Sequence, residues 1–105
     1  MDTRAAAARK IAELSRDVVA RRISPVFASR EIARRLRFDV GSPDDDVFLE
    51  VRGIDSETED VVIGELRQLW SREFLDRVDT RLAEYLQGME AVFEPLVERF
   101  SREKP

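Results

Sequence analysis

Residues 71–100 read SREFLDRVDTRLAEYLQGMEAVFEPLVERF, and their apolar positions return at heptad spacing. Leu75, Leu82, Met89 and Leu96 form one line, Val78, Tyr85 and Val92 a second, and Leu86, Phe93 and Phe100 a third. Side chains three, four and seven apart share a face of an α-helix, so the three lines merge into one broad apolar face, with Ser71 as its N-cap. This stretch predicts a long C-terminal helix. Pro95 lacks an amide hydrogen and its ring crowds the preceding turn, which predicts a kink or break between Phe93 and Pro95.

Such a face needs partners, and the N-terminal third offers two more helices. From about Asp2 to Arg22, an alanine run at 5–8 precedes a narrow stripe of Ile11, Leu14, Val18 and Val19. Ser24-Pro25 then supplies a capping hydroxyl and a first-turn proline, predicting a second helix to about Phe38 that buries Val26, Phe27, Ile32, Ala33 and Leu36. Ser29 competes as a start for this helix. The run Asp39-Val40-Gly41-Ser42-Pro43 ends it.

Residues 44–70 admit two readings. Ser42-Pro43-Asp44-Asp45-Asp46 resembles a helix start, with Val47, Phe48 and Val51 on one face. Val47, Leu49 and Val51 also alternate as a strand would, and with Val61-Val62-Ile63 they would make a hairpin of residues 47–54 and 61–67. A short helix followed by irregular chain is preferred. The fold expected is therefore all-α: an N-terminal helix pair packed on a long C-terminal helix, with an irregular cap or short hairpin at 40–70, forming one helical domain over residues 1–105.

Charge is unevenly placed. Residues 1–38 carry +6, residues 39–60 carry −8 and residues 61–105 carry −2, for a net −4. A net acidic chain disfavours general binding to phosphate backbones, which relies on clustered Lys and Arg. No cysteine is present, which removes disulfides and thiolate chemistry and fits a reducing cytoplasm. MDTRAAAARK has no apolar core of a signal peptide, and no apolar run approaches the ~20 residues of a membrane span, so neither secretion nor membrane insertion is expected.

Histidine is absent too, removing the commonest general base and zinc ligand. Gly41, Gly53, Gly64 and Gly88 lie too far apart for a phosphate-binding loop. Asp55-Ser56-Glu57-Thr58-Glu59-Asp60 places oxygens at alternate positions, but a calcium loop starting at Asp55 needs glycine where Asp60 stands and glutamate where Leu66 stands. A solvated acidic loop is the simpler reading, and no metal, cofactor or enzymatic activity is expected. Asp55 with Glu57 is the residual carboxylate pair for acid–base chemistry. Trp70 and Tyr85 fall where the periodicity predicts packing.

The run FLEVRGIDSETED (48–60) and the following GELRQLW (64–70) resemble a family of small, mostly uncharacterised bacterial proteins. These share a G-I-D-S-E-T-D-like run followed by Gly, Arg and Trp. The resemblance spans about residues 23–75 and is most specific from Gly53 to Thr58. It implies a bacterial cytoplasmic protein and carries no catalytic residue with it.

The function expected is a non-enzymatic protein-interaction module, of an inhibitor or immunity type, that meets a basic partner through Asp44, Asp45, Asp46, Asp55, Glu57, Glu59 and Asp60. Complementary charge would steer and select that partner more than it would raise raw affinity. The alternative is a small regulatory nucleic-acid-binding protein using Arg30, Arg34, Arg35 and Arg37. A C-terminal helix with ten apolar positions also predicts a homodimer that covers its excess apolar surface.

Overall fold

The computed structural model describes residues 3–59 and 72–101. These are all-α, with no strand among them: α1 (Thr3–Val19), α2 (Pro25–Glu31), α3 (Arg37–Asp39), α4 (Leu49–Glu57), α5 (Arg72–Leu86) and α6 (Glu90–Phe100). A π-helical turn (Ile32–Leu36) joins α2 to α3, and a 3₁₀ turn (Asp46–Phe48) leads into α4. No described helix is long and apolar enough to cross a membrane.

The main contact is between α1 and α6. The N-terminal stripe buries Ala8, Ile11, Ala12, Leu14, Ser15 and Val18, and α6 answers with Phe93, Leu96 and Phe100. Alanine and serine keep the surface of α1 low, which leaves room for the two phenylalanine rings. Each fully buried large apolar side chain stabilises the fold by about 2 kcal/mol relative to exposure. Val26, Ala28, Ile32, Leu36, Phe48, Val51 and Ile54 close the core from α2, the π turn, the 3₁₀ turn and α4.

Helix α1 stops three residues short of the expected Arg22, and its end shows why. Arg21 adopts a left-handed conformation (φ 61°). Its N–H donates to the Val18 carbonyl (2.9 Å) and the Arg22 N–H to that of Asp17 (2.8 Å), the paired bonds of a Schellman turn. The Arg22 guanidinium holds the same turn through the Asp17 carboxylate at 2.7 Å. A β-carbon in the left-handed region is strained, so Arg21→Gly should raise stability by about 1 kcal/mol in urea denaturation. The Arg21–Glu90 ion pair it removes is 82% exposed on the arginine side and worth little. A loss of stability would show that this pair, not the strain, governs the turn.

Ser24 caps α2 as its sequence implied, its Oγ accepting from the Val26 N–H (3.1 Å), with Pro25 in the first turn. The competing start at Ser29 is not used: Ser29 lies buried within α2, donating to the Val26 carbonyl. Phe27, expected in the core, is instead 43% exposed, because Val26 and Ala28 take the inward positions. The hairpin reading fails at its first arm, since residues 49–57 are helical; its second arm, 61–67, lies outside the described residues, as do Trp70 and Ser71.

The C-terminal helix is broken, but not at Pro95. Gly88 (φ 81°) ends α5 in the left-handed conformation that glycine adopts without strain, and α6 starts two residues later. Pro95 sits in the middle of α6, and the helix runs through it.

Candidate functional site

Helix α4 turns three polar or small positions outward while Val51 and Ile54 anchor it inward. Glu50, Gly53 and Glu57 are spaced three and four apart and therefore form one exposed line. Opposite them stand Tyr85 from the end of α5, Met89 from the break and Val92 from α6. Together with Ile54 these residues line a groove of about 340 Å³. Its floor is apolar and its α4 rim carries two carboxylates of one sign.

Neither Glu50 nor Glu57 is in an ion pair among the described residues. Glycine sits between them for no visible packing reason: a β-carbon at Gly53 would meet nothing within 4 Å. Tyr85, expected as a packing residue, is 37% exposed at the groove. Partial burial, with a smaller contribution from the charge of Glu57, raises its phenol above the usual tyrosine range.

Of the seven acids predicted as a binding surface, the six that are described do not share one face. Asp55 is turned inward: its side chain is 14% exposed, Oδ2 accepts from Arg34 Nε at 3.0 Å, and Oδ1 lies 4.0 Å from Arg30 Nε. It lies in a helix and not in a solvated loop. Asp45 is also occupied, accepting from the Val47 N–H (3.2 Å) as the cap of the 3₁₀ turn and pairing with Arg99 of α6 at 2.7 Å. The Arg99 hydrogen bond, aided by the Val47 amide, holds the Asp45 carboxyl below the usual range. Asp44, Asp46 and Glu59 are exposed and lie apart from the groove, and Asp60 lies outside the described residues. Of the six that are described, Glu57 alone lines the groove.

The arginine patch is likewise drawn into the fold. Arg30 donates to the Thr58 carbonyl, and Arg34 binds Asp55, which raises its pKa further, first through the hydrogen bond and then through charge. Arg37 donates to the Ala33 and Pro43 carbonyls at 2.6 and 2.8 Å and stacks over Phe38 at 4.2 Å. Arg35 remains on the surface. Three of the four thus serve the joint between the second helix and the 43–58 segment.

Sequence reasoning missed Glu50 and Gly53. The signal was present in the E-V-R-G-I-D-S-E run, where a helical reading puts the two glutamates and the glycine on one face. Counting acids along the chain hid it. Among the described residues no cluster of His, Cys, Asp or Glu is arranged to hold a metal ion. No family model, curated protein or solved structure matches the chain.

Proposed function

We infer that this protein is a non-enzymatic interaction module, and that the groove between α4 and the α5–α6 break receives a basic, amphipathic segment of a protein partner. The observation that supports this most is Gly53. A glycine inside a helix costs about 1 kcal/mol relative to alanine, and here no neighbour requires it. Close approach of another chain gives the missing β-carbon a purpose. The flanking Glu50 and Glu57 would face Lys or Arg, while Ile54, Met89 and Val92 accept an apolar side chain. An inhibitor or immunity role for a basic target is the fitting use of such a surface, because charge of one sign on the rim sets partner choice and association rate. The acids beyond the groove add to the field without forming contacts.

Stability and binding are expected to move in opposite directions in Gly53→Ala. Helix propensity should raise the melting temperature by roughly 4–8 °C, the shift that about 1 kcal/mol produces in a domain of this size. Titration with a synthetic amphipathic lysine–leucine helix should show weaker binding for the same variant. Glu50→Lys with Glu57→Lys should weaken that probe by tenfold or more, on the order expected for like charges at an interface. Asp44→Lys with Asp46→Lys makes the same change in net charge outside the groove and should weaken it far less. Equal losses from the two charge pairs would mean that only net charge is sensed, and would overturn the groove reading.

A further inference from the structure

A second groove lies on another face, along the seam of α1 and α6, and its charge pattern differs in kind. It has a volume of about 550 Å³ and an apolar surface formed by Val19, Ala20 and Val97. Val19 is 39% exposed, one of five large apolar side chains left at the surface among the described residues. The α1 side contributes Arg16 and Arg22, and the α6 side contributes Glu94 and Glu98. Arg16 also donates to Ser101 Oγ at 2.8 Å, and Arg22 to Asp17, so both guanidiniums are held at the rim.

We propose that this seam is a self-association surface, on which a second copy of the chain docks with its α1 side over the α6 side of the first. The pattern of signs selects that occupant. A uniformly basic partner would meet Arg16 and Arg22, and a uniformly acidic one would meet Glu94 and Glu98; like charges brought together at an interface cost several kcal/mol. A surface with one basic and one acidic side is complementary to itself. Of the two-fold axes that bring two such grooves face to face, the one running along the groove turns each basic side onto the partner's acidic side. The axis running across it sets like on like. The first arrangement also covers Val19, Ala20 and Val97 with their own symmetry mates. It leaves the α4 groove on a separate face, so self-association and partner binding do not depend on each other.

Sedimentation velocity on the full chain, from about 1 μM to about 1 mM, reads this directly. The wild type should show a dimer that dissociates on dilution. Glu94→Arg with Glu98→Arg makes both sides basic, and Arg16→Glu with Arg22→Glu makes both acidic; each variant alone should lose the dimer, its dissociation constant rising on the order of 100-fold. Mixing the two at equal amounts should restore a dimer containing one of each, since both contacts then join unlike charges. Ala20→Arg, at an exposed position, should also dissociate the wild-type dimer, and serves if a charge variant loses its helical circular dichroism. A wild type that stays monomeric at about 1 mM, a dimer untouched by these variants, or a mixture that stays monomeric would each overturn the proposal.

Discussion

Phe48→Ala is expected to cost about 4 kcal/mol of folding stability, the middle of the range for truncating a buried phenylalanine. The residue is fully buried, and its ring stacks on Phe100 with centroids 5.7 Å apart and planes 30° from parallel. An offset pair of this kind adds roughly 1 kcal/mol to the burial itself. The surrounding chain explains the weight placed on one side chain. Residues 40–48 contain Gly41, Pro43 and three successive aspartates, and within 41–48 Phe48 is the one residue that is fully buried. Chemical denaturation followed by circular dichroism should show a lower midpoint with an unchanged slope. Against a total of about 5–15 kcal/mol for a domain, such a loss would remove roughly a quarter to four-fifths of the stability. A cost below about 1.5 kcal/mol would mean that the 3₁₀ turn is not tied to the core, against its full burial here.

Asp55→Asn should be the most destabilising amide substitution among the acids of residues 44–59, at on the order of 2 kcal/mol, whereas Glu57→Gln should be close to neutral. The two carboxylates are two residues apart and differ in every physical respect. Asp55 faces the Arg30 side chain, itself 17% exposed, so removing its charge takes a counter-ion from a guanidinium with little access to water. Glu57 is exposed beside Glu50, and losing one of two like charges relieves repulsion. Replacing both Asp55 and Arg30 by apolar residues should recover part of the loss, because the poorly hydrated guanidinium is then removed with its counter-ion, while Arg34, 56% exposed, keeps its access to water. Equal effects of the two amide substitutions would return Asp55 to the solvated, partner-facing surface that its sequence neighbourhood implies.

The contrast marks how far the sequence could be read. Helical periodicity identified Ile11, Leu14 and Val18 on α1, the cap at Ser24 and the apolar face of α6, because each depends on residues within a few turns of one another; Val19, expected in the same stripe, is 39% exposed. Phe27 was misplaced because helical spacing leaves open which of two adjacent apolar residues points inward, and the packing of Val26 and Ala28 decides that. The break at Gly88 was overlooked in favour of Pro95: a left-handed glycine ends the hydrogen-bond ladder of α5, whereas Pro95 removes one amide hydrogen from the middle of α6 and the helix continues through it. Asp55 and Arg34 are 21 residues apart, so their pairing is set by how α4 lies against the second helix. Glu50, Gly53 and Glu57 were legible once that segment was taken as a helix; Tyr85, Met89 and Val92 joined them only through the turn at Gly88.

The pairing of α1 with α6 also sets the order in which the chain can become stable during its own synthesis. The last residue of α1 and the first of α6 are about 70 residues apart, so at ribosomal rates of 5–20 residues per second α1 waits roughly 4–14 s for its main partner. Through that interval Ile11, Leu14 and Val18 have only the segments up to α4 to lie against, and of the core phenylalanines Phe48, Phe93 and Phe100 only the first has been made. Late closure over a long intervening chain is entropically slow and leaves apolar surface open to other nascent chains. The four arginines and lysines among residues 1–20 keep that waiting helix charged on its outer side, which opposes aggregation before Phe93, Leu96 and Phe100 arrive.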